Sequence, residues 1–465
     1  MNPSNSIKYE VVEYTRGVVL DIAGKAYPHF LCIDTPRDGV RPDIRVETPS
    51  DLSLVIEDGS VDAVYCSQYA EAIKSLADWW RCVKVGGHLV LNLQDDPKQI
   101  IDAMRDVVGG WDLIVREDDK QLLVFRKIEG QSNVNSWMVK ALKGKQKTAC
   151  VVRYGGFGDM IQAANVLPAL KRQGYRVTVM TTPKGKEVIE NDPNIDDWFI
   201  QDHDQVPNHE LSEFWKVVSQ RFDKFVNLCE SVEGTLIAMP GRANHGWPHE
   251  VRHAMLDENY LEFSSMLAGV PYASESKFYP TEAETRAARA RLGPGLNVMW
   301  ALAGSSCHKF YPGQDVVIAR ILLENQDCRI FLVGDAACVI LEAGWEKESR
   351  VVCLSGELGI RDTLALAKEV DVVLGCETGV LNAVAFEDNR KVVLLSHSSH
   401  ENLTKHWENT IALAPNGLDC YPCHRLHYTR EFCKEDKETG AAMCQRLIDP
   451  ADVYQAVIWK EQAAA

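Results

Sequence analysis

Three short stretches of this chain hold residues whose types and spacing suit chemistry on a phosphorylated substrate. The first is Gly155-Gly156-Phe157-Gly158-Asp159. Glycine lets a backbone approach a ligand closely, and a helix that starts at such a turn points free N–H groups into the same space. Asp159 would then take a proton from a docked hydroxyl, or would serve only as the cap of the following helix. The second stretch is Gly304-Ser305-Ser306-Cys307-His308-Lys309-Phe310-Tyr311-Pro312, where small residues precede His308 and Lys309, two groups able to neutralise phosphate charge. In the third, Gly375-Cys376-Glu377-Thr378-Gly379, Thr378 and Gly379 would offer N–H groups and a hydroxyl to a diphosphate, and Glu377 would accept sugar or ribose hydroxyls. The plainer alternatives are a surface lysine at 309 and a helix cap at 377.

Each stretch follows an apolar run that reads as a buried strand. Ala149-Val152 is one such strand, Asn297-Ala301 another and Asp371-Leu374 a third, with helical patterns between. Three blocks emerge. Residues 1–130 carry strands at Gly17-Asp21, Phe30-Asp34, Ala63-Cys66, His88-Leu93 and Leu122-Arg126. Residues 131–147 are polar and lysine-rich, as in a linker. Residues 148–290 add strands at Arg176-Thr181 and Phe225-Leu228, and residues 291–465 add Arg329-Val333, Val351-Leu354 and Lys391-Leu395. The fold class expected is α/β, with three Rossmann-like domains, the last two facing across a cleft.

Composition narrows the function classes. A chain of 465 residues with 46% apolar and 25% charged residues suits a multi-domain globular protein. No apolar run approaches the roughly 20 residues of a membrane span, and the N-terminus lacks a basic-then-apolar signal layout, so a cytoplasmic location is expected. A net charge of −16 opposes nonspecific nucleic-acid binding. Most of the 14 cysteines sit singly in apolar runs, as reduced core thiols do.

The stretch RYGGFGDMIQAANVLPAL, the HKFYP segment, LSGELGIRDTLALAKEVDVVLGCETG and the cysteine-bearing tail together resemble glycosyltransferase family 9, the ADP-heptose:lipopolysaccharide heptosyltransferases and their relatives, over about residues 148–460. The resemblance implies a GT-B pair, with an acceptor domain at 148–290 and a nucleotide-sugar domain at 291–465. It implies inverting, metal-independent transfer from a nucleotide-diphosphate sugar, ADP-linked in the heptosyltransferases, to a hydroxyl of a glycan or lipopolysaccharide-type acceptor. Matched to the family's motifs, Asp159 is the general base, Lys309 stabilises the departing diphosphate, and Thr378 with Gly379 cradles phosphate. Gly156, Gly158, Ser305, Ser306, His308, Glu377, Asn382 and His397 complete the expected donor site. Two departures stand out: Glu377 replaces an aspartate, and Asn382 stands where many members carry histidine, so heptose is not assumed. Other acceptors, such as a hydroxylated DNA base or a protein, and a non-catalytic assembly or carbohydrate-binding scaffold remain open.

The first block is similar to class I S-adenosylmethionine methyltransferases, through Val18-Gly24, Cys32-Asp34, Ser60-Cys66 and Arg81-Val90. Asp21, Gly24 and Asp34 are the matching cofactor positions. Alanine at 23 and lysine at 25 put Cβ atoms where the family has bare backbone, which implies a degenerate domain used in docking or homo-oligomerisation, without S-adenosylmethionine. An active methyltransferase acting on the transferred sugar is the other reading.

In the tail, Cys420, Cys423, Cys433 and Cys444 could form a structural zinc site, with His424 or His427 replacing one thiol; buried thiols or a redox pair are the alternative. Glu230 and Trp247 are expected near the acceptor, Trp247 as a sugar platform or as packing. His397 lies in Ser396-Asn402, a segment that would contact the diphosphate or form a polar loop.

Overall fold

Strands that are apolar on both faces belong in parallel sheets covered by helices. The computed structural model describes residues 9–22, 30–34, 43–45, 52, 56–67, 72–93, 96–117, 121–130, 132, 146–232, 234–272, 277–304, 306 and 308–458, and its sheets carry those strands. The chain packs as two compact units, residues 1–150 with 199–225 and residues 151–198 with 226–465.

In the first unit a seven-stranded sheet runs β3-β2-β1-β4-β5-β7-β6. Its strands are β1 Val19–Ile22, β2 Leu31–Asp34, β3 Ile44–Arg45, β4 Val61–Ser67, β5 Val83–Asn92, β6 Gly110–Glu117 and β7 Leu122–Ile128. The pairings from β3 to β5 are parallel, whereas β7 runs antiparallel to both β5 and β6. The order reverses between β1 and β4, the switch point where a doubly wound sheet opens a crevice. Helix Ala72–Cys82 joins β4 to β5 and buries Ala72, Leu76, Trp79 and Trp80, a spacing that keeps them on one face. Trp111 packs edge-on to Phe125 at 5.2 Å and donates its indole N–H to the Met104 carbonyl, so its one polar atom is satisfied.

The sequence reading puts residues 199–225 in the second block, but they pack with the first. Gln205 Nε2 donates to the Val12 and Thr15 carbonyls at 2.8 and 2.7 Å, and Tyr9 donates to Glu210. Of the cofactor positions expected here, Asp21 is buried within β1 and Asp34 closes β2. Gly24 and most of the 131–147 linker lie outside the described residues.

The second unit contains a six-stranded, fully parallel sheet of order β14-β13-β12-β15-β16-β17. Here β12 is Leu296–Ala301, β13 Cys328–Val333, β14 Val351–Cys353, β15 Val372–Cys376, β16 Arg390–Leu394 and β17 Thr410–Leu413. The order reverses between β12 and β15, so the loops leaving these two strands flank the crevice. Those loops carry Lys309 and Glu377-Thr378-Gly379. The first glycine turn leaves β8, Thr148–Val152, which lies inside a sheet of order β10-β9-β8-β11 with β9 Arg176–Thr181, β10 Asp197–Ile200 and β11 Lys224–Asn227.

Candidate active site

The two glycine loops meet. A Cβ on Gly158 would lie 2.8 Å from Gly379 Cα, and one on Gly379 would collide with the Phe157 ring. Only glycine permits this approach. Around the junction lies a cavity of about 700 Å³, bordered by Gly156, Gly158 and Asp159 on one side and by Lys309, Thr378 and Asn382 on the other. That volume suits a ligand of nucleotide-sugar size.

Asp159 opens helix Phe157–Ala163 and does both things its sequence position allows. Its Oδ2 accepts the Gly156 N–H at 2.9 Å, one half of a capping box, and Asp159 also borders the cavity. A residue absent from the sequence expectations holds it: Arg153, fully buried, approaches Asp159 Oδ1 with Nη2 at 3.3 Å and anchors Nη1 on the Leu228 carbonyl. An arginine ending an apolar strand run was the signal available. A guanidinium beside the carboxylate orients it and favours its ionised form.

Lys309 is buried, with Nζ donating to the Glu377 carbonyl at 2.7 Å. Thr378 precedes a helix of only five residues, Gly379–Ala383, too short for much dipole field, so Lys309 is the principal cation. Thr378 Oγ1 is buried without a hydrogen-bond partner, a cost of about 1–3 kcal/mol that a ligand acceptor would remove.

Glu377 borders the cavity, its carboxylate is bonded to the 396–398 loop, and it does not cap the following helix. Its Oε1 accepts the backbone N–H groups of Ser396, His397 and Ser398, and Oε2 accepts the Ser396 hydroxyl. Burial opposes its ionisation, but His397 and Lys309 outweigh that and hold the carboxyl far below the usual range. Glu377 is therefore a brace for the 396–398 loop, which delivers His397 to the cavity edge.

Ser306 and His308 do not border this cavity. Ser306 Oγ bonds the His427 backbone, and His308 bridges Ser306 to His397 at 2.8 and 3.1 Å. Ser305 lies outside the described residues. Glu230 and Trp247 also do not line the cavity: Glu230 pairs with Arg242 at 2.7 Å, and Trp247 is half-buried with its carbonyl accepting from Arg252. Gln162, Tyr260 and Asp335, none of them expected from sequence, do line it.

No protein-family model matches the chain, and no curated protein does. Among solved structures it is similar to a glycosyl transferase family 9 protein from Veillonella parvula DSM 2008, at 14% identity over 67% of this chain and 96% of that one, with a TM-score of 0.48. It is similar to ADP-heptose lps heptosyltransferase II of E. coli, at 13% identity over 67% and 97% of the two chains, TM-score 0.45. A third is the iron-containing dodecameric glycosyltransferase TibC from enterotoxigenic E. coli H10407, at 12% identity over 67% and 76%, TM-score 0.43.

The tail forms a separate small cavity of about 20 Å³, lined by Cys420, Cys423, Cys433 and Cys444 together with His308 and His427. Burial pushes the Cys423 thiol up to about 12 and the Cys444 thiol higher still. Among the described residues, the groups whose ligand atoms all lie within 4.8 Å are His308-Glu377-His397 and His253-Asp257-His424, not the cysteines. Both histidine groups are committed to internal hydrogen bonds. Asn402 Oδ1 accepts from the Ser399 N–H, so its amide donates to His424 Nδ1, and His424 Nε2 must carry the proton it shares with Asp257. His424 is thus turned away from the thiols, whereas His427 Nε2 lies 3.7 Å from Cys423 Sγ.

Proposed function

We propose that the second unit is an inverting glycosyltransferase that moves a sugar from a nucleotide-diphosphate donor to a hydroxyl of a glycan or lipopolysaccharide-type acceptor. One observation carries the reading: a base at a glycine turn, Asp159, and a buried cation at a parallel-sheet switch point, Lys309, border one cavity of about 700 Å³. The diphosphate would lie against Lys309 and Thr378, with the anomeric carbon toward Asp159. The acceptor oxygen bonds to that carbon as Asp159 takes its proton. The bond from carbon to the diphosphate oxygen breaks on the opposite face, its electron pair leaving with the phosphate. Lys309 stabilises the charge that develops there, so the step as drawn needs no metal.

Ligands of the folded state raise its melting temperature. Thermal shifts against nucleoside diphosphates, nucleotide sugars and S-adenosylmethionine test the reading. A shift with one nucleoside diphosphate class is expected and would name the base. A shift with S-adenosylmethionine alone would move the chemistry to the first unit, and silence across the panel would leave a scaffold.

For the tail we infer a structural ion held by Cys420, Cys423, Cys433 and Cys444. The ligand types suit it, although the sulfurs would have to draw together: four thiols line one small cavity, and soft ligands of this kind select zinc or iron. A bound cation would deprotonate thiols that burial otherwise keeps neutral. Elemental analysis should find about one zinc per chain; protein that is folded and metal-free would end this idea.

A further inference from the structure

We propose that Gln162 selects the acceptor: its amide binds the hydroxyl next to the one that attacks, so the acceptor is a sugar with neighbouring hydroxyls and not a lone alcohol. The inference rests on the glycosyltransferase reading above and adds the class of acceptor to it.

The helix that starts at the glycine turn, Phe157–Ala163, carries both Asp159 and Gln162. Residues three apart on a helix share a face, with Cβ atoms about 5–6 Å from one another, so these two side chains are neighbours. Both residues border the large cavity. Gln162 is 9% exposed, and among the described residues nothing hydrogen-bonds its amide. Neither amide atom is sealed from solvent, so the exposed remnant includes the polar head, and the open space that Gln162 borders is the cavity. A glutamine kept at this depth for the fold alone would have a partner. Asn165, three residues on, shows the contrast. Its Nδ2 donates to the Leu261 carbonyl at 3.0 Å and to Ser265 Oγ at 3.2 Å, which ties the chain to helix Tyr260–Ala268.

Position along the helix points to the acceptor. The loop that would hold the diphosphate meets this helix at Gly158, the residue set against Gly379. Gln162 lies four residues on, about 6 Å further along the axis. In an inverting displacement the nucleophile enters opposite the leaving group, so the acceptor stands on the Asp159 side, away from Lys309 and Thr378. The other side chains that residues 148–290 bring to the cavity are poor partners for a hydroxyl: Val232 and Ile237 are apolar, and Tyr260 Oη faces Ser398 Oγ at 3.5 Å. Asp159 is left for the attacking hydroxyl and Gln162 for its neighbour. An amide both donates and accepts, as a hydroxyl does. Held by adjacent hydroxyls, a pyranose ring cannot pivot, and its attacking oxygen stays aligned with the anomeric carbon. A serine side chain or a hydroxymethylated base has one hydroxyl to offer and cannot be held in this way.

Nucleoside diphosphate release from ADP-, UDP- and GDP-sugars by the full chain is the measurement, with water alone and then with acceptor probes. The probes are methyl hexopyranosides and methyl heptopyranosides, their monodeoxy derivatives, and the single alcohols N-acetylserinamide and 5-hydroxymethylcytosine. A methyl pyranoside should stimulate release, and the single alcohols should not. Gln162→Leu should raise the KM of that pyranoside about 10-fold and leave the donor KM within about twofold. Removing the neighbouring hydroxyl should cost the wild type about the same factor and the variant almost nothing, since both changes delete one contact. The amide has no partner in the protein to lose, so the variant should melt no lower than wild type. Gln162→Met replaces it if the leucine variant does not fold, and the deoxy series on the wild type decides without any variant: derivatives that all perform like their parent would overturn the inference. A raised donor KM with an unchanged acceptor KM would assign Gln162 to the donor sugar and overturn it too. So would independent effects of variant and deoxygenation, a clear fall in melting temperature in both variants, stimulation by a single alcohol alone, or donor hydrolysis that no pyranoside stimulates. In each of those cases the glycosyltransferase reading stands. No release from any nucleotide sugar would remove that reading, and the inference with it.

Discussion

Asp159→Asn should lower the transfer rate by about 10²–10⁴-fold while leaving donor affinity within a few-fold of wild type. The variant keeps the shape of the side chain, and its amide oxygen can still accept the Gly156 N–H, so the turn survives. What is lost is the ability to accept a proton. Arg153 fixes the carboxylate at 3.3 Å, and in the variant it faces the amide NH2, which cannot accept from it, so the contact is lost and stability is measured alongside. The measurement is kcat with a donor identified by thermal shift, alongside the melting temperature. A variant that melts like wild type and transfers at the wild-type rate would falsify the assignment of Asp159 as base.

Lys309→Met should cost about 10²–10³-fold in kcat and also weaken binding of the free nucleoside diphosphate. Methionine keeps an unbranched apolar stem, which matters because the lysine Cδ packs where a Gly304 side chain would otherwise sit. The variant thus removes charge with little change in packing. The departing diphosphate bears more charge in the transition state than in the donor, so kcat should fall by a larger factor than KM rises. Equal losses in product affinity and kcat would mean that Lys309 binds without assisting departure. A Lys309→Arg variant should not rescue the rate, since the larger planar head would have to fit a site where the lysine is already buried against the Glu377 carbonyl.

Much of the fold is legible in the sequence because parallel strands are buried on both faces and read as continuous apolar runs. β12, β13, β15 and β16 lie within a residue or two of their expected bounds. The missed strands share a physical cause. Asp197–Ile200 and Thr410–Leu413 are short edge strands, half-buried along most of their length, and offer no apolar run. Gly110–Glu117 is also an edge strand with a polar end. At the site, Asp159, Lys309, Thr378 and Gly379 were visible because turn glycines and a charged residue after a strand mark a crevice. The bracing role of Glu377 was not visible because its partners, Ser396 to Ser398, lie some 20 residues onward and only the fold brings them beneath it. Arg153 was overlooked for the opposite reason: a buried arginine needs a carboxylate, and sequence spacing gives no sign that the one six residues on faces it.

The touching glycines have a consequence for turnover. With Gly158 set against Gly379 and the Phe157 ring packed beside them, the junction of the two loops has little slack left to close. A donor bound beneath that contact cannot be gripped further by closing it, so any movement during the cycle must be one of parting. A spent nucleotide that left past this junction would do so in a step apart from the bond exchange. A methyl group at either position would act as a wedge, hastening departure while loosening the alignment of Asp159 with its target.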